Sequence, residues 1–203
     1  MSIVGYCIEG KARTGEKGLA YDYVMAGNGL WLEAKNDHLE ARVLLASAEV
    51  RGLVALEPRL VLRHGHIPER VWNHLSDMLH EQPDREVFMA VGYVGHQYDF
   101  TAPPQQGTSM GVLYRPVPDA MFEAHSHPNM RAFFSGTDNA DEQSFRLYAV
   151  LGWNDQTGRK EVHIRLGIYG YFVDVPWDQV FDGMPEGWVD LTKEEVPLGL
   201  AGE

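Results

Sequence analysis

The stretch EAHSHPNMRAFFSGTD, residues 123–138, constrains the fold more than any other part of the chain. Side chains alternate between the two faces of a β-strand, so residues two apart point the same way. A strand that begins near Ala120 and ends at His127 therefore presents His125 and His127 on one face. Pro128 ends the strand, because proline lacks the N–H that a β-ladder needs.

Two imidazoles on one strand face form a pair of zinc ligands that needs a third. Asp138 follows a turn, where the chain can fold back and bring its carboxylate near the pair. Two histidines and one carboxylate leave a position for water, which is the pattern of a catalytic zinc site. Each residue also has an ordinary use: Thr137 or Asp138 can cap a helix through DNADEQSFRL, and Ser135 suits a turn. It is the occurrence of the two histidines, Ser135 and Asp138 together that indicates a metal site.

Helical and strand patterns alternate through the middle of the chain. IPERVWNHLSDMLHEQP, residues 67–83, has apolar residues at helical spacing. EVFMAVGYV, residues 86–94, reads as a buried strand. LYAVLGW, residues 147–153, and EVHIRLGIYGYFVDV, residues 161–175, read as further strands around a turn at residues 154–158. This order predicts an α/β fold, a mixed sheet flanked by helices, behind a β-rich N-terminal lead-in.

The sequence divides into three regions. Residues 1–65 form the β-rich lead-in, where Asn28-Gly29 is a hairpin-turn signal. Residues 66–175 form the core, and residues 176–203 form a C-terminal tail that packs on it. His64 and His66 make a second His-x-His pair, but no acidic or serine partner follows at matching spacing, so we predict no site there.

Composition excludes several classes of function. The net charge of −12, with scattered basic residues, argues against nucleic acid binding. Cys7 is the single cysteine, which rules out an internal disulfide and a cysteine-rich zinc cluster. No apolar run approaches the roughly 18 residues that span a bilayer, and the first residues lack a signal-peptide core. We expect a soluble, cytoplasmic protein without membrane partners.

The motif spacing resembles that of a known family. His125-x-His127, seven residues, Ser135, two residues and Asp138 is similar to the JAMM motif of the JAB1/MPN/Mov34 zinc metallopeptidases, and the His-Ser-His-Pro core matches as well. These enzymes cut ubiquitin or ubiquitin-like tails. The family adds a glutamate that opens a strand after a helix, and Glu86 occupies that place.

The resemblance implies a fold and a role for each residue. The fold is MPN/JAB-like, with a topology similar to that of cytidine deaminases. His125, His127 and Asp138 would bind Zn²⁺. Glu86 would take a proton from the zinc-bound water and pass it to the leaving amine, which is general acid–base catalysis. Ser135 would donate a hydrogen bond to the oxyanion of the tetrahedral intermediate.

Two features depart from the family within residues 66–153, which the resemblance covers. Many relatives have Cys-Gly-Leu after the glutamate, whereas here Val87 begins the run Val-Phe-Met-Ala, which we expect to alter packing and to leave the chemistry intact. Glu123 lies two residues before His125 and so faces the metal side. It could be an extra ligand, a partner of a histidine, a rival base, or a solvated or hydrogen-bonded neighbour.

The flanking segments resemble protein A of the PRTRC bacterial gene cassettes. That resemblance implies a small ubiquitin-like or sulfur-carrier-like partner with an extended tail, and a ThiF/E1-like enzyme in the same system. We therefore expect hydrolysis of a peptide or isopeptide bond at such a tail; the alternative is a catalytically silent MPN-type scaffold that binds partners. Residues 97–118 form either a lid or edge strand for the tail, or a plain hairpin loop.

Overall fold

A computed structural model describes residues 2–109, 111–154 and 158–193. The chain forms two compact units, Met1–Gly65 and His66–Glu203. The three central residues of the predicted turn at 154–158, and the last ten residues of the chain, lie outside the described residues. Within the described part, no helix has both the length and the apolar character needed to cross a lipid bilayer.

The first unit is a six-stranded sheet with the order β2-β1-β3-β4-β5-β6. Its strands are β1 Val4–Glu9, β2 Arg13–Glu16, β3 Tyr21–Ala26, β4 Gly29–Lys35, β5 Leu39–Ser47 and β6 Arg59–Leu62. Strands β1 and β3 are parallel, and the other neighbours are antiparallel. The predicted hairpin between β3 and β4 is confirmed, although its two loop residues are Gly27 and Asn28, and Gly29, at φ 144°, already begins β4. Trp31, Val24 and the Cys7 thiol are buried together.

The second unit contains a seven-stranded sheet in which six strands follow the order β15-β14-β13-β12-β8-β9 and β17 also pairs with β14. Its strands are β8 Phe88–Val94, β9 Gln97–Thr101, β12 Phe122–Pro128, β13 Arg146–Asn154, β14 Arg159–Ile168, β15 Tyr171–Asp174 and β17 Trp188–Asp190. Two small sheets pair β10 Gln105–Thr108 with β11 Gly111–Tyr114, and β7 Ile67–Pro68 with β16 Phe181–Asp182. Short 3₁₀ helices cover Trp177–Gln179 and Leu191–Lys193.

Helix α1, Glu69–His80, confirms the helix predicted within residues 67–83. Pro68 precedes its first residue, where a missing N–H costs nothing. The helix buries Trp72 against Trp177, at a ring separation of 4.6 Å, and against Trp188, at 5.0 Å. The described part of the C-terminal region thus supplies core aromatics to this unit.

Helix α2, Gly136–Asp141, is shorter than predicted and starts earlier. Its N-cap is Ser135; the prediction of Thr137 or Asp138 was wrong. The predicted extension through residue 147 was also wrong. None of the six residues of α2, all of them described, is buried, so no apolar face sustains a longer helix. Arg146 already begins β13.

The predicted α/β fold class is wrong. The protein is mostly β, with 49% strand and 13% helix, and the described residues hold two α-helices beside several sheets. Helices do not flank the sheet, because α2 ends after six residues and the lead-in of 1–65 is itself an all-β unit. Of the two described α-helices, only α1 is long, with 12 residues against 6 in α2.

Candidate metal centre

The two histidines lie in the middle of the large sheet. Strand β12 pairs with β8 on one side, antiparallel, and with β13 on the other, parallel. All seven residues of β12 are buried. The side chains of His125 and His127 lie on the same side of the strand, with ring centres 5.1 Å apart. The prediction from strand alternation is confirmed.

Asp138 reaches the pair through the cap of helix α2. The backbone N–H of Ser135 donates to Oδ2 of Asp138 at 2.5 Å, and the N–H of Asp138 donates to Oγ of Ser135 at 3.2 Å, which is a capping box. Oδ1 of Asp138 is thereby left facing Nε2 of His125 at 3.4 Å. One atom each from His125, His127 and Asp138 lie within 4.8 Å of one another. The helix cap therefore orients the carboxylate.

The loop between β12 and α2 follows its path because of a glycine in β13. Gly152 lies beside His127 in the sheet register. A Cβ on Gly152 would overlap the backbone of residues 130–132, so the loop passes directly over this glycine. Ala132 is buried there, and its N–H donates to the Glu161 carboxylate at 3.3 Å. This contact helps to turn the chain back towards the histidines.

Glu86 lies on the other side of His127. Its Oε1 is 3.9 Å from Nε2 of His127, and its side chain is only 8% exposed. The residue precedes β8 by two positions and does not open the strand as predicted. Ser126, between the two histidines, points to the opposite face and accepts a hydrogen bond from the Val87 N–H at 3.0 Å. The serine between the two histidines therefore bonds to the backbone next to Glu86.

The hairpin β10–β11 supports Glu86 from the other direction. The Glu86 N–H donates to the carbonyl of Thr108 at 2.7 Å. The Gln105 side chain bonds to both the N–H and the carbonyl of Phe88, at 2.7 and 2.9 Å. Gly107 is needed for this approach, because a Cβ there would overlap the Glu86 carbonyl oxygen. Strand β9 pairs with β8 only from Ala90 onwards, and at Phe88 the Gln105 side chain makes the backbone hydrogen bonds instead.

Burial sets the protonation of these groups. It lowers the pKa of His125 and of His127, against the opposing attraction of the Asp138 carboxylate, and so favours neutral imidazoles. Burial raises the pKa of Glu86 to about 7, and repulsion from Asp138 adds to the shift. Neutral imidazoles are the form that binds metal.

The chemistry of the donors fits a zinc ion. Nε2 of His125 is buried and has no hydrogen-bond partner among the described residues. An unsatisfied buried nitrogen is unfavourable, and a bound cation would satisfy it. Two nitrogens and one carboxylate oxygen are the donor set of several catalytic zinc sites. The donor atoms of His125, His127 and Asp138 thus converge, and both imidazoles are buried.

Glu123 does not join this group. It is buried, and its Oε1 accepts a hydrogen bond from Nη1 of Arg146. Arg146 also donates to the carbonyls of Val117 and Pro118, at 3.2 and 3.3 Å. Of the alternatives that the sequence left open, the structure agrees with a hydrogen-bonded neighbour, although a buried one. The sequence could not indicate that Arg146 bonds to Glu123, since the two residues are 23 positions apart in the chain.

Helix α2 is fastened to the sheet by Arg165 on β14. Its guanidinium bonds to the buried Glu142 carboxylate at 2.6 and 2.9 Å and to Oδ1 of Asn139 at 2.6 Å. The guanidinium also lies between the rings of Phe134 and Phe172, at 3.7 and 3.8 Å. Both bonded groups lie within four residues of Asp138, so this cluster fixes the helix that carries the third donor.

A cavity of about 310 Å³ opens over the donors. Its lining includes Glu86, Ser135 and the three donor residues, and further residues of β11 and α2 also line it. The second His-x-His pair has other contacts: Nδ1 of His38 lies 3.2 Å from Nε2 of His64, and His66 pairs with Asp182 at 3.4 Å. Neither of its members lines this cavity.

No protein-family model matches the chain, and no curated protein matches it either.

Proposed function

We propose that the protein is a JAMM-type zinc metallopeptidase that hydrolyses a peptide or isopeptide bond. The observation that carries the proposal is the convergence of His125, His127 and Asp138, whose donor atoms lie within 4.8 Å of one another. The Glu86 carboxylate lies beside them, and a cavity opens above them. The support comes from these side chains and not from the fold, which is mostly β.

His125, His127 and Asp138 would hold the zinc ion. Zn²⁺ in such a site polarises a carbonyl and makes water acidic near neutral pH, where its pKa falls from about 15.7 towards 7. Both histidines and Glu86 are buried, so these three side chains are largely removed from bulk water. A low local dielectric strengthens each charge interaction in the cavity.

In this proposal, Glu86 is the general acid–base and Ser135 donates to the oxyanion. A carboxylate whose pKa is about 7 can accept a proton from water and return it to the leaving amine. Oγ of Ser135 accepts from the Asp138 N–H, so its own O–H can donate to the oxygen that becomes negative. Both side chains line the same cavity.

The cavity suits an extended peptide tail. Three of the four residues of β11, namely Gly111, Val112 and Tyr114, line the cavity. Within the described residues β11 pairs with β10 alone, so a tail can add to its other edge as a strand. We infer a ubiquitin-like or sulfur-carrier-like protein as the substrate, with a ThiF/E1-like enzyme in the same pathway, acting in the cytoplasm.

The experiment compares wild type with Glu86→Gln on fusions of candidate ubiquitin-like proteins. We expect cleavage by the wild type and a loss of at least about 100-fold in kcat for the variant, the contribution of one general acid–base. Zinc content should be unchanged, because Glu86 is not a ligand. Glu81→Gln, an exposed residue after α1, is the matched control. Equal cleavage by wild type and Glu86→Gln would remove Glu86 from the mechanism.

A further inference from the structure

His127, Gly152 and Glu161 form one row across three strands of the large sheet. Gly152 on β13 is the register partner of His127 on β12 and of Glu161 on β14. Register partners on neighbouring strands point to the same face of a sheet, so the side chains of His127 and Glu161 flank the glycine. Neighbouring strands lie about 4.8 Å apart, which puts roughly 10 Å between β12 and β14. Because glycine has no side chain, the space between His127 and Glu161 is open to another part of the chain.

The peptide unit that joins Arg131 to Ala132 occupies this space. A Cβ placed on Gly152 would overlap the carbonyl carbon of Arg131 and the nitrogen of Ala132. The N–H of Ala132 donates to Oε2 of Glu161 at 3.3 Å. In a trans peptide the carbonyl points away from the N–H, and the described residues contain no cis peptide. The Arg131 carbonyl therefore points away from Glu161, towards the His127 end of the row.

The ring nitrogen of His127 that can meet this carbonyl is Nδ1. Nε2 is turned to the donor cluster and lies 3.9 Å from Oε1 of Glu86. Nδ1 is buried and has no hydrogen bond of ordinary geometry within the described residues. Burial lowers the pKa of His127, and both the Asp138 carboxylate and the backbone of Arg131 oppose that shift. A carbonyl has this effect when it lies where it can accept the ring N–H.

Two arginines hold the Glu161 carboxylate in place. The side chain is only 6% exposed, and it pairs with Nε of Arg159 at 2.8 Å and with Nε of Arg131 at 3.3 Å. Hydrogen bonds in a chain polarise one another, so a carboxylate that accepts from a peptide N–H makes the carbonyl of that peptide a stronger acceptor. Glu161 thus fixes the Arg131–Ala132 peptide and strengthens the carbonyl that faces His127.

We propose that Glu161 is a positioning residue for His127 and acts through the Arg131–Ala132 peptide. The Arg131 carbonyl accepts the Nδ1–H of His127, which leaves the lone pair of Nε2 for the metal. Histidines that bind metals commonly donate their other N–H to a carbonyl or carboxylate, and loss of such a partner lowers metal affinity about 10–100-fold. The inference rests on the metal site of the proposed function.

The first measurement is the zinc dissociation constant of the full-length protein, by competition with a chromophoric chelator. Glu161→Gln keeps the size of the side chain and removes its charge, and we expect about 10–100-fold weaker zinc binding than in the wild type. Glu33→Gln is the matched control, because Glu33 in the first unit is likewise held by two arginines, Arg13 and Arg42. It should keep the wild-type dissociation constant. Unchanged affinity in Glu161→Gln, or an equal loss in Glu33→Gln, overturns the proposal.

The second measurement needs neither metal nor a folded variant at Glu161. Long-range ¹H–¹⁵N NMR of the zinc-free wild type shows which ring nitrogen carries the proton, at about pH 8, where a histidine of ordinary pKa is neutral. We expect the proton of His127 on Nδ1, with the signals assigned by their loss in His127→Ala. In Glu161→Gln the form protonated on Nε2 should gain population. A wild-type His127 that carries its proton on Nε2 overturns the proposal.

Fusion cleavage, measured on the same preparations, separates this inference from the proposed function. A proton on Nδ1 of His127 that depends on Glu161, in a protein that cleaves no fusion, supports the positioning role and counts against the peptidase. Zinc binding and cleavage that are unaffected by Glu161→Gln overturn the positioning role and leave the peptidase standing. A protein that binds no zinc and carries the His127 proton on Nε2 overturns both.

Discussion

At the scale of single residues, Ser126 links the two halves of the candidate site. Its side chain is fully buried and bonds to the Val87 N–H, one residue after Glu86. Its own N–H bonds to the Val87 carbonyl at 3.0 Å. The neighbours of Ser126 in the chain are the two histidines, so one tripeptide sets the distance between the donors and the carboxylate of Glu86.

Ser126→Ala should displace Glu86 without removing a metal donor. The loss leaves the buried Val87 N–H unsatisfied, which costs about 1–3 kcal/mol of unfolding free energy. We expect kcat for fusion cleavage to fall on the order of 100-fold, since small misplacements of catalytic groups have effects of this size. Zinc content should remain at the wild-type value. Ser47→Ala, at an exposed end of β5, is the control, and equal losses in both variants would contradict the role of Ser126.

The proximity of His125, His127 and Asp138 was easier to predict from the sequence than the contacts that position them. Alternation in a strand is local, so the common face of His125 and His127 could be predicted from spacing alone. The Asp138 carboxylate could be expected near them because a turn intervenes. The partners that position these groups, such as Arg165 and Gln105, come from distant strands and leave no periodic signal. Their contacts are visible only in the structure.

At the scale of secondary-structure elements, the hairpin β10–β11 has two uses. The residues of β11 form a wall of the cavity, while Thr108 and Gln105 on β10 hold the backbone from Glu86 to Phe88. The sequence left residues 97–118 open between a lid or edge strand and a plain loop. The hairpin is in contact with the backbone of the proposed general base, so changes in it should affect catalysis as well as peptide binding.

Gly107→Ala tests this coupling. The added Cβ would overlap the Glu86 carbonyl oxygen, so the hairpin or the Glu86 backbone must move. We expect kcat for fusion cleavage to fall on the order of 10–100-fold with zinc content unchanged. Gln106→Ala changes an exposed side chain next to Gly107 on the same strand, outside the cavity lining, and should retain activity. Full activity of Gly107→Ala would show that the hairpin does not position Glu86.

Helix α2 shows where element prediction fails. The sequence after Asp138 is rich in helix-forming residues, yet the helix ends at Asp141 and β13 begins at Arg146. The reason is packing: residues 147–153 are all buried, so this segment is covered on both faces as a central strand of the sheet. Burial in the sheet outweighed the local helix propensity of this segment. Without a second long helix, the predicted α/β class is wrong.

At the scale of the whole molecule, all residues of the candidate site belong to the unit His66–Glu203. The other unit is a separate six-stranded sheet with its own buried cluster around Trp31 and Val24. The net charge of −12 is spread over the chain and disfavours polyanionic partners.

The proposed function requires that the protein bind one zinc ion through His125, His127 and Asp138. The direct measurement is metal content by elemental mass spectrometry after dialysis, for wild type, His127→Ala and His66→Ala. We predict about one zinc per chain in the wild type and in His66→Ala, whose side chain is exposed outside the cavity, and less than about one-tenth of that in His127→Ala. A wild type without bound zinc, or a His127→Ala variant with the wild-type amount, would contradict zinc binding by these three residues.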